Sequence, residues 1–159
     1  VTPLHLMPPG FAYSTTDIKL DIPALKLNIP IVGVPLVNGA WDVTWLSNQA
    51  GYLNGTAFPT WNGNSVLTAH VYDSNGLPGP FNGLVNLKWG DQVILHAFGN
   101  KYIYEIRENQ EIWPSDLSPL EHKDGIWLTL LTCRQYNLKT HNYDHRQMAR
   151  AVLIKVIPE

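Results

Sequence analysis

The sequence predicts an all-β fold, a sandwich or a barrel, and three observations carry that prediction. Short apolar runs with period-two alternation recur along the chain. Pro, Gly and Asn cut them at short intervals. No stretch sustains the apolar spacing of an amphipathic helix, so most elements are strands joined by turns.

The elements follow in order. Residues 1–16 carry Pro3, Pro8, Pro9 and Gly10, which forbid a helix interior and make a poor strand, so they form an arm or linker ahead of one domain over 17–159. Ile18–Ile22 and Leu25–Ile29 alternate as half-buried strands, with Pro23 and Pro30 marking strand edges. Trp41 to Asn54 offers room for a short helix. Ser65–Val71 is a strand that ends at His70 or Val71, before the Gly/Pro-rich loop Asp73 to Pro80. Phe81 to Leu87 forms a helical turn. Asp91–Phe98 and Lys101–Ile112 pair through a tight turn at Gly99-Asn100, residues that accept positive φ. In the second arm Tyr102, Tyr104 and Ile106 share one face, while Lys101, Glu105 and Arg107 share the other with Ile103. Ile126–Thr132 is apolar on both parities, as a strand covered on both sides must be. Met148–Ile157 is the last strand.

Composition narrows the function. The chain has 159 residues, a length suited to a single domain, and 45% are apolar, enough for a real core. Its net charge of −2 leaves no basic footprint for nucleic acid. One cysteine, Cys133, excludes an intramolecular disulfide framework and a Cys-rich zinc site. No apolar run reaches the roughly 18 residues that cross a bilayer. The start at Val1 rather than Met fits a processed chain from which an upstream anchor has been removed.

Cys133 stands where a buried strand gives way to a polar stretch, with Arg134, Lys139 and Arg146 nearby to favour a thiolate. The plainer reading of a lone thiol is buried filler. A cysteine nucleophile also needs a proton carrier and an oxyanion donor. Six histidines are available. His5 lies in the arm, His122 in a polar loop and His96 in mid-strand, whereas His70 ends a buried strand as Cys133 does. For the oxyanion, Arg134 points to the opposite side of an extended chain from Cys133, and Arg146 and Arg150 share parity. If the last strand returns antiparallel beside Ile126–Thr132, Arg146 begins next to Cys133, while Arg150 is displaced by about 13 Å at ~3.3 Å per residue.

These residues bring a family into view. Thr129-Leu130-Leu131-Thr132-Cys133, the upstream Thr68-Ala69-His70 and Arg146 thirteen positions after the cysteine resemble the sortases, bacterial cysteine transpeptidases. The similarity runs from about Asp17 to Val156. It implies a closed β-barrel of about eight strands with one or two short helices. It also implies a catalytic set of Cys133, His70 and Arg146, with Ala69, Thr132 and Tyr136 as substrate-binding candidates. Ala69 replaces a glycine that many sortases have before the histidine. Thr140-His141 is followed by Asn142 where the pilin-polymerase class places its arginine, whereas Arg146 stands five residues before Ala151, the spacing of several other classes.

The resemblance further implies a substrate: a C-terminal LPxTG-type sorting signal, cut between Thr and Gly and passed to an amine of a cell-wall peptide or a pilin lysine. No cofactor and no metal are expected. A monomer is expected, held on the outer face of a bacterial membrane by an anchor in the full-length protein, with candidate signal-reading segments at Asp73–Pro80 and Trp113–Asp124. Two other readings compete. His141, His145, Asp144 and Cys133 offer ligands for a zinc site, though the i, i+4 spacing suits a helix and a loop is expected. The six Trp and seven Tyr could instead form the face of a non-catalytic extracellular binding domain.

Overall fold

The structure, a computed structural model, describes residues 13–73, 75–132 and 145–159 and, as backbone only, 136–137 and 142–143. Twelve strands are described: β1 (Ser14–Ile22), β2 (Leu27–Val34), β3 (Leu36–Val37), β4 (Ala40–Trp41), β5 (Ala50–Leu53), β6 (Gly63–Ala69), β7 (Gln92–Ala97), β8 (Asn100–Ile112), β9 (Ile126–Thr132), β10 (Tyr136–Asn137), β11 (Asn142–Tyr143) and β12 (Arg146–Pro158). Eight of them close a barrel in the order β1-β2-β5-β6-β9-β12-β8-β7, and β3-β4 and β10-β11 are small separate hairpins. Closure leaves no long edge exposed for aggregation. The described helical segments are three 3₁₀ turns, Pro23–Leu25, Leu84–Asn86 and Ser118–Leu120.

Alternation sorts the side chains into two cores. Leu20, Ile22, Ile31, Leu67, Leu95, Tyr104, Leu128, Leu130 and Ala149 fill the barrel. On the outer face Val32, Val34, Val66, Leu131 and Met148 pack under Leu46 and Ile112, with Val43 and Leu120 against them. Strands β6 and β9 are therefore covered on both sides, which is why Ile126–Thr132 reads as a continuous apolar run. The face of β8 carrying Tyr102, Tyr104 and Ile106 turns inward, as its alternation requires.

Several boundaries differ from the sequence expectation. Strand β1 begins at Ser14, inside the segment expected to be arm. Strand β2 begins at Leu27 because Pro23–Leu25 is a 3₁₀ turn, and it continues through Pro30 to Val34. Pro30 is tolerated there because β2 has only β1 as neighbour at that rung; pairing with β5 starts at Ile31. Strand β6 ends at Ala69, and His70 is the first residue beyond it. The expected helix between Trp41 and Asn54 is absent: turns and β5 occupy that stretch, with Ser47 at φ 56°, a left-handed value foreign to a helix interior. The β7–β8 turn is Phe98-Gly99, with φ of 54° and 74°, one residue earlier than expected.

The segment after β6 is held backbone to backbone. Phe81 N donates to the His70 carbonyl at 3.1 Å and Gly79 N to the Val71 carbonyl at 2.7 Å. The approach is so close that a Cβ on Gly79 would lie 2.4 Å from the His70 oxygen. Phe81 and Leu84, 1% and 0% exposed, then anchor the segment in the core. At the other end of the barrel His96 bonds Glu159 through Nδ1 at 2.8 Å and Asp21 through Nε2 at 3.3 Å. The Glu159 bond is the chief cause that raises the His96 pKa above its usual value, and the Asp21 bond adds to it.

Two expectations follow from these contacts. Gly79→Ala forces His70 and Val71 to shift and lowers the unfolding free energy in urea by about 1–3 kcal/mol, the usual cost of overpacking. Because the folded pKa of His96 is raised, its stabilisation is complete below the unfolded value of 6.5 and is lost as pH rises through the folded value. The melting-temperature gap between the wild type and His96→Gln should therefore be wider near about pH 5 than near about pH 9, and a gap independent of pH would refute the assignment.

Candidate active site

Strands β6 and β9 run parallel in unbroken register from Gly63↔Ile126 to Ala69↔Thr132. Ser65, Ala69 and Leu130 are 0% exposed, so side chains reach solvent only where the strands end. His70 is half-buried at that rim. The Gly/Pro-rich loop beside it is braced by Asp73, whose carboxylate accepts the Asn75 and Leu77 amides at 2.8 and 2.9 Å, and whose amide donates to the Leu77 carbonyl. This is the loop expected to border a cleft, and its backbone contact with His70 and Val71 makes it a wall of that rim.

Strand β12 is antiparallel to β9, with Met148↔Leu131 and Arg150↔Thr129. Arg146 opens the strand, half-buried, opposite Ile112 of β8. Trp113, the next residue of the chain, stacks on His145 with ring centroids 4.8 Å apart. Arg150 has a different setting, lower on the strand: its Nη2 donates to the Ser118 carbonyl at 2.8 Å and its Nε to the Thr129 hydroxyl at 3.4 Å. Of the two arginines that share parity, only Arg146 stands at the end of β12 where β6 and β9 finish.

Thr132 and Ala69 lie below the surface. The Thr132 hydroxyl accepts the Gln147 amide at 2.9 Å and so ties β9 to β12. Ala69 packs within the barrel core. Tyr136 belongs to β10, paired with Tyr143. Cys133 lies outside the described residues, as do His141 and Asp144. Among the described residues, no group of three or more His, Cys, Asp or Glu could hold a metal ion. Among the described residues, His122 bonds the exposed Asp124.

A cavity of about 780 Å³ opens at the opposite end of the barrel, lined by Ile18, Tyr52, Phe58, His96, Phe98 and Glu159 among others. Its histidine is already bonded to two carboxylates, so its surroundings do not match a nucleophile and its base. Among the described residues, no helix is long and apolar enough to cross a membrane.

A model of the sortase domain matches residues 20–154. Among solved structures the chain is similar to sortase A of Listeria monocytogenes, with TM-score 0.72 and 19% identity over 89% of each chain. It is equally similar to a sortase E variant of Streptomyces avermitilis, with TM-score 0.72 and 21% identity over 93% of each chain. Sortase C-1 of Actinomyces oris gives TM-score 0.70 and 26% identity over 87% of this chain and 73% of that one. No curated protein matches the chain in sequence. Likeness of this order to sortases A, C and E alike gives the shared fold and does not separate the classes. The barrel, the strand-end histidine and a family match that spans most of the chain lead to one conclusion: the chain belongs to the sortase family and is a cysteine transpeptidase.

Proposed function

We propose that Cys133, His70 and Arg146 are the reacting groups, and that they act on a C-terminal LPxTG-type sorting signal. The observation that carries this reading is the register of three neighbouring strands. Continued one rung past Ala69↔Thr132, the β6–β9 ladder would bring position 70 beside 133. Continued two rungs past Met148↔Leu131, the β9–β12 ladder would bring 133 beside 146. Alternation gives all three positions the parity of Val66, Leu131 and Met148, the outer face. So extended, the ladders would set three side chains in a row, with about 4.8 Å between neighbouring strands.

The chemistry follows from that row. The Cys133 thiolate attacks the Thr carbonyl of the signal, and Arg146 donates to the oxyanion. The intermediate collapses to a thioester as the Thr–Gly bond breaks, and His70 gives its proton to the departing glycine amine. An incoming amine then loses a proton to His70 and attacks the thioester, forming a new amide and releasing the thiolate. Water in place of the amine gives hydrolysis. Peptide signals and amines are the family's substrates in general; the LPxTG motif and a cell-wall peptide or pilin lysine as acceptor are part of this proposal. So are a monomeric domain over 17–159 preceded by an arm, a membrane anchor in the full-length protein, and work on the outer face of a bacterial membrane. Ala69, Thr132 and Tyr136 are the substrate-binding residues in this reading, the first two from beneath the rim.

Incubation with LPxTG-type peptides followed by mass spectrometry should reveal a thioester on Cys133, absent in Cys133→Ala and nearly absent in His70→Ala. Arg146→Ala should lower kcat by about 10²–10³-fold with the fold intact, the usual loss for an oxyanion donor. Peptide cleavage that survives alkylation of Cys133 would refute the nucleophile. A silent Arg146→Ala would refute the arginine.

A further inference from the structure

A polar cluster that the reaction does not use lies on the outer face of β6, β9 and β12. Asn64 and Thr129 are 3% and 0% exposed. The Asn64 amide donates to the carbonyls of Pro119 and Glu121 at 2.7 and 2.9 Å, and its oxygen accepts the Thr129 hydroxyl. Arg150 donates to that same hydroxyl and to the Ser118 carbonyl, with Glu108 at 3.9 Å from its Nη1. The Asp116 carboxylate accepts the Ser118 amide at 2.9 Å. That bond is the main cause holding Asp116 below its usual pKa, and the charge of Arg150 adds a smaller effect.

Strand pairing needs none of these polar groups, since Val66 and Leu131 fill equivalent outer positions beside them. What the cluster does is capture three backbone carbonyls of one turn, Ser118, Pro119 and Glu121. Buried polar groups so fully matched specify position more than they add stability. The captured turn belongs to the connection from β8 to β9, residues 113–125. That connection starts at Trp113, one residue beyond the Ile112↔Arg146 pair, and Trp113 is 67% exposed where it stacks on His145. One end of the connection therefore adjoins Arg146, and its middle is fixed by side chains from three barrel strands.

We infer that Asn64, Thr129 and Arg150 are positioning residues that hold residues 113–121 as a wall of the sorting-signal groove. They set how tightly the peptide binds and leave the chemical step to the rim. This rests on the proposed reading of Arg146 and the strand ends as the reaction centre.

The test compares wild type, Arg150→Met and Arg150→Lys by amide exchange across the chain and by kcat and KM for an LPxTG-type peptide. In Arg150→Met, exchange in 113–121 should speed up while the barrel strands stay protected, and KM should rise roughly tenfold with kcat within about twofold. Lysine reaches one partner instead of two, so Arg150→Lys should fall between. A loss in kcat at unchanged KM would put Arg150 in the chemistry and overturn the inference. Unchanged exchange would refute the anchoring, and faster exchange with unchanged KM would refute the wall. Thr129→Val, which keeps the volume and removes the hydroxyl link, is read by the same criteria if Arg150→Met does not fold. Failure of the wild type to turn over any such peptide counts against the proposed substrate alone, and amide exchange still decides the anchoring.

Discussion

The parallel pairing of β6 with β9 is the constraint on which the rest of the structure depends. Two parallel neighbours need a long crossover between them, and here residues 70–125 supply it, carrying the β7–β8 hairpin and the loops on either side. Because the strands run the same way in register, both end at the same rim, at Ala69 and Thr132. An antiparallel pair would have sent them to opposite ends. Topology alone thus brings the ends of both strands to one rim, before any particular side chain is considered.

Burial on both faces is the second consequence. A parallel pair inside a barrel needs an outer cover as well as an inner core. Leu46 from the β4–β5 connection and Leu120 from the β8–β9 connection provide it. The cover explains Gly51: a Cβ there would lie 2.7 Å from Val34 and 2.9 Å from Leu46, so the strand accepts a glycine in order to seat a leucine. It also accounts for the polar residues beneath the 118–121 turn, which donate to the carbonyls of Ser118, Pro119 and Glu121.

What the sequence makes legible follows the same physics. Ile126–Thr132 is readable because two-sided burial writes a continuous apolar run, and the Cys133 motif at its end gains its meaning from the order in which His70 and Arg146 accompany it. Strand β5, Ala50–Leu53, is not readable: Gly51 signals a turn locally, and only its packing against Val34 and Leu46 makes it a strand. The β3–β4 hairpin did carry a signal in Asn38-Gly39, whose φ values of 52° and 77° are those of a tight turn. The turn at Phe98-Gly99 shows a different limit. Moving it to Gly99-Asn100 shifts each partner by two residues, so every side chain keeps its face and alternation cannot tell the registers apart. A tertiary contact, Phe98 on Phe58 at 6.2 Å, belongs to the observed one.

The two arginines of β12 show how much of a site lies beyond residue type. Arg146 and Arg150 have the same parity, the same strand and the same charge, and sequence separates them only by assuming an antiparallel return. The structure supplies that return and gives each a different company. Arg150 meets Thr129, Ser118 and Glu108, fixed acceptors that spend its donors on holding a loop. Arg146 stands four residues nearer the rim, beside His145 and the first residue of the same loop. The four-residue spacing keeps both on the outer face of one strand, Arg146 at its start near the rim and Arg150 lower down, against the turn at Ser118.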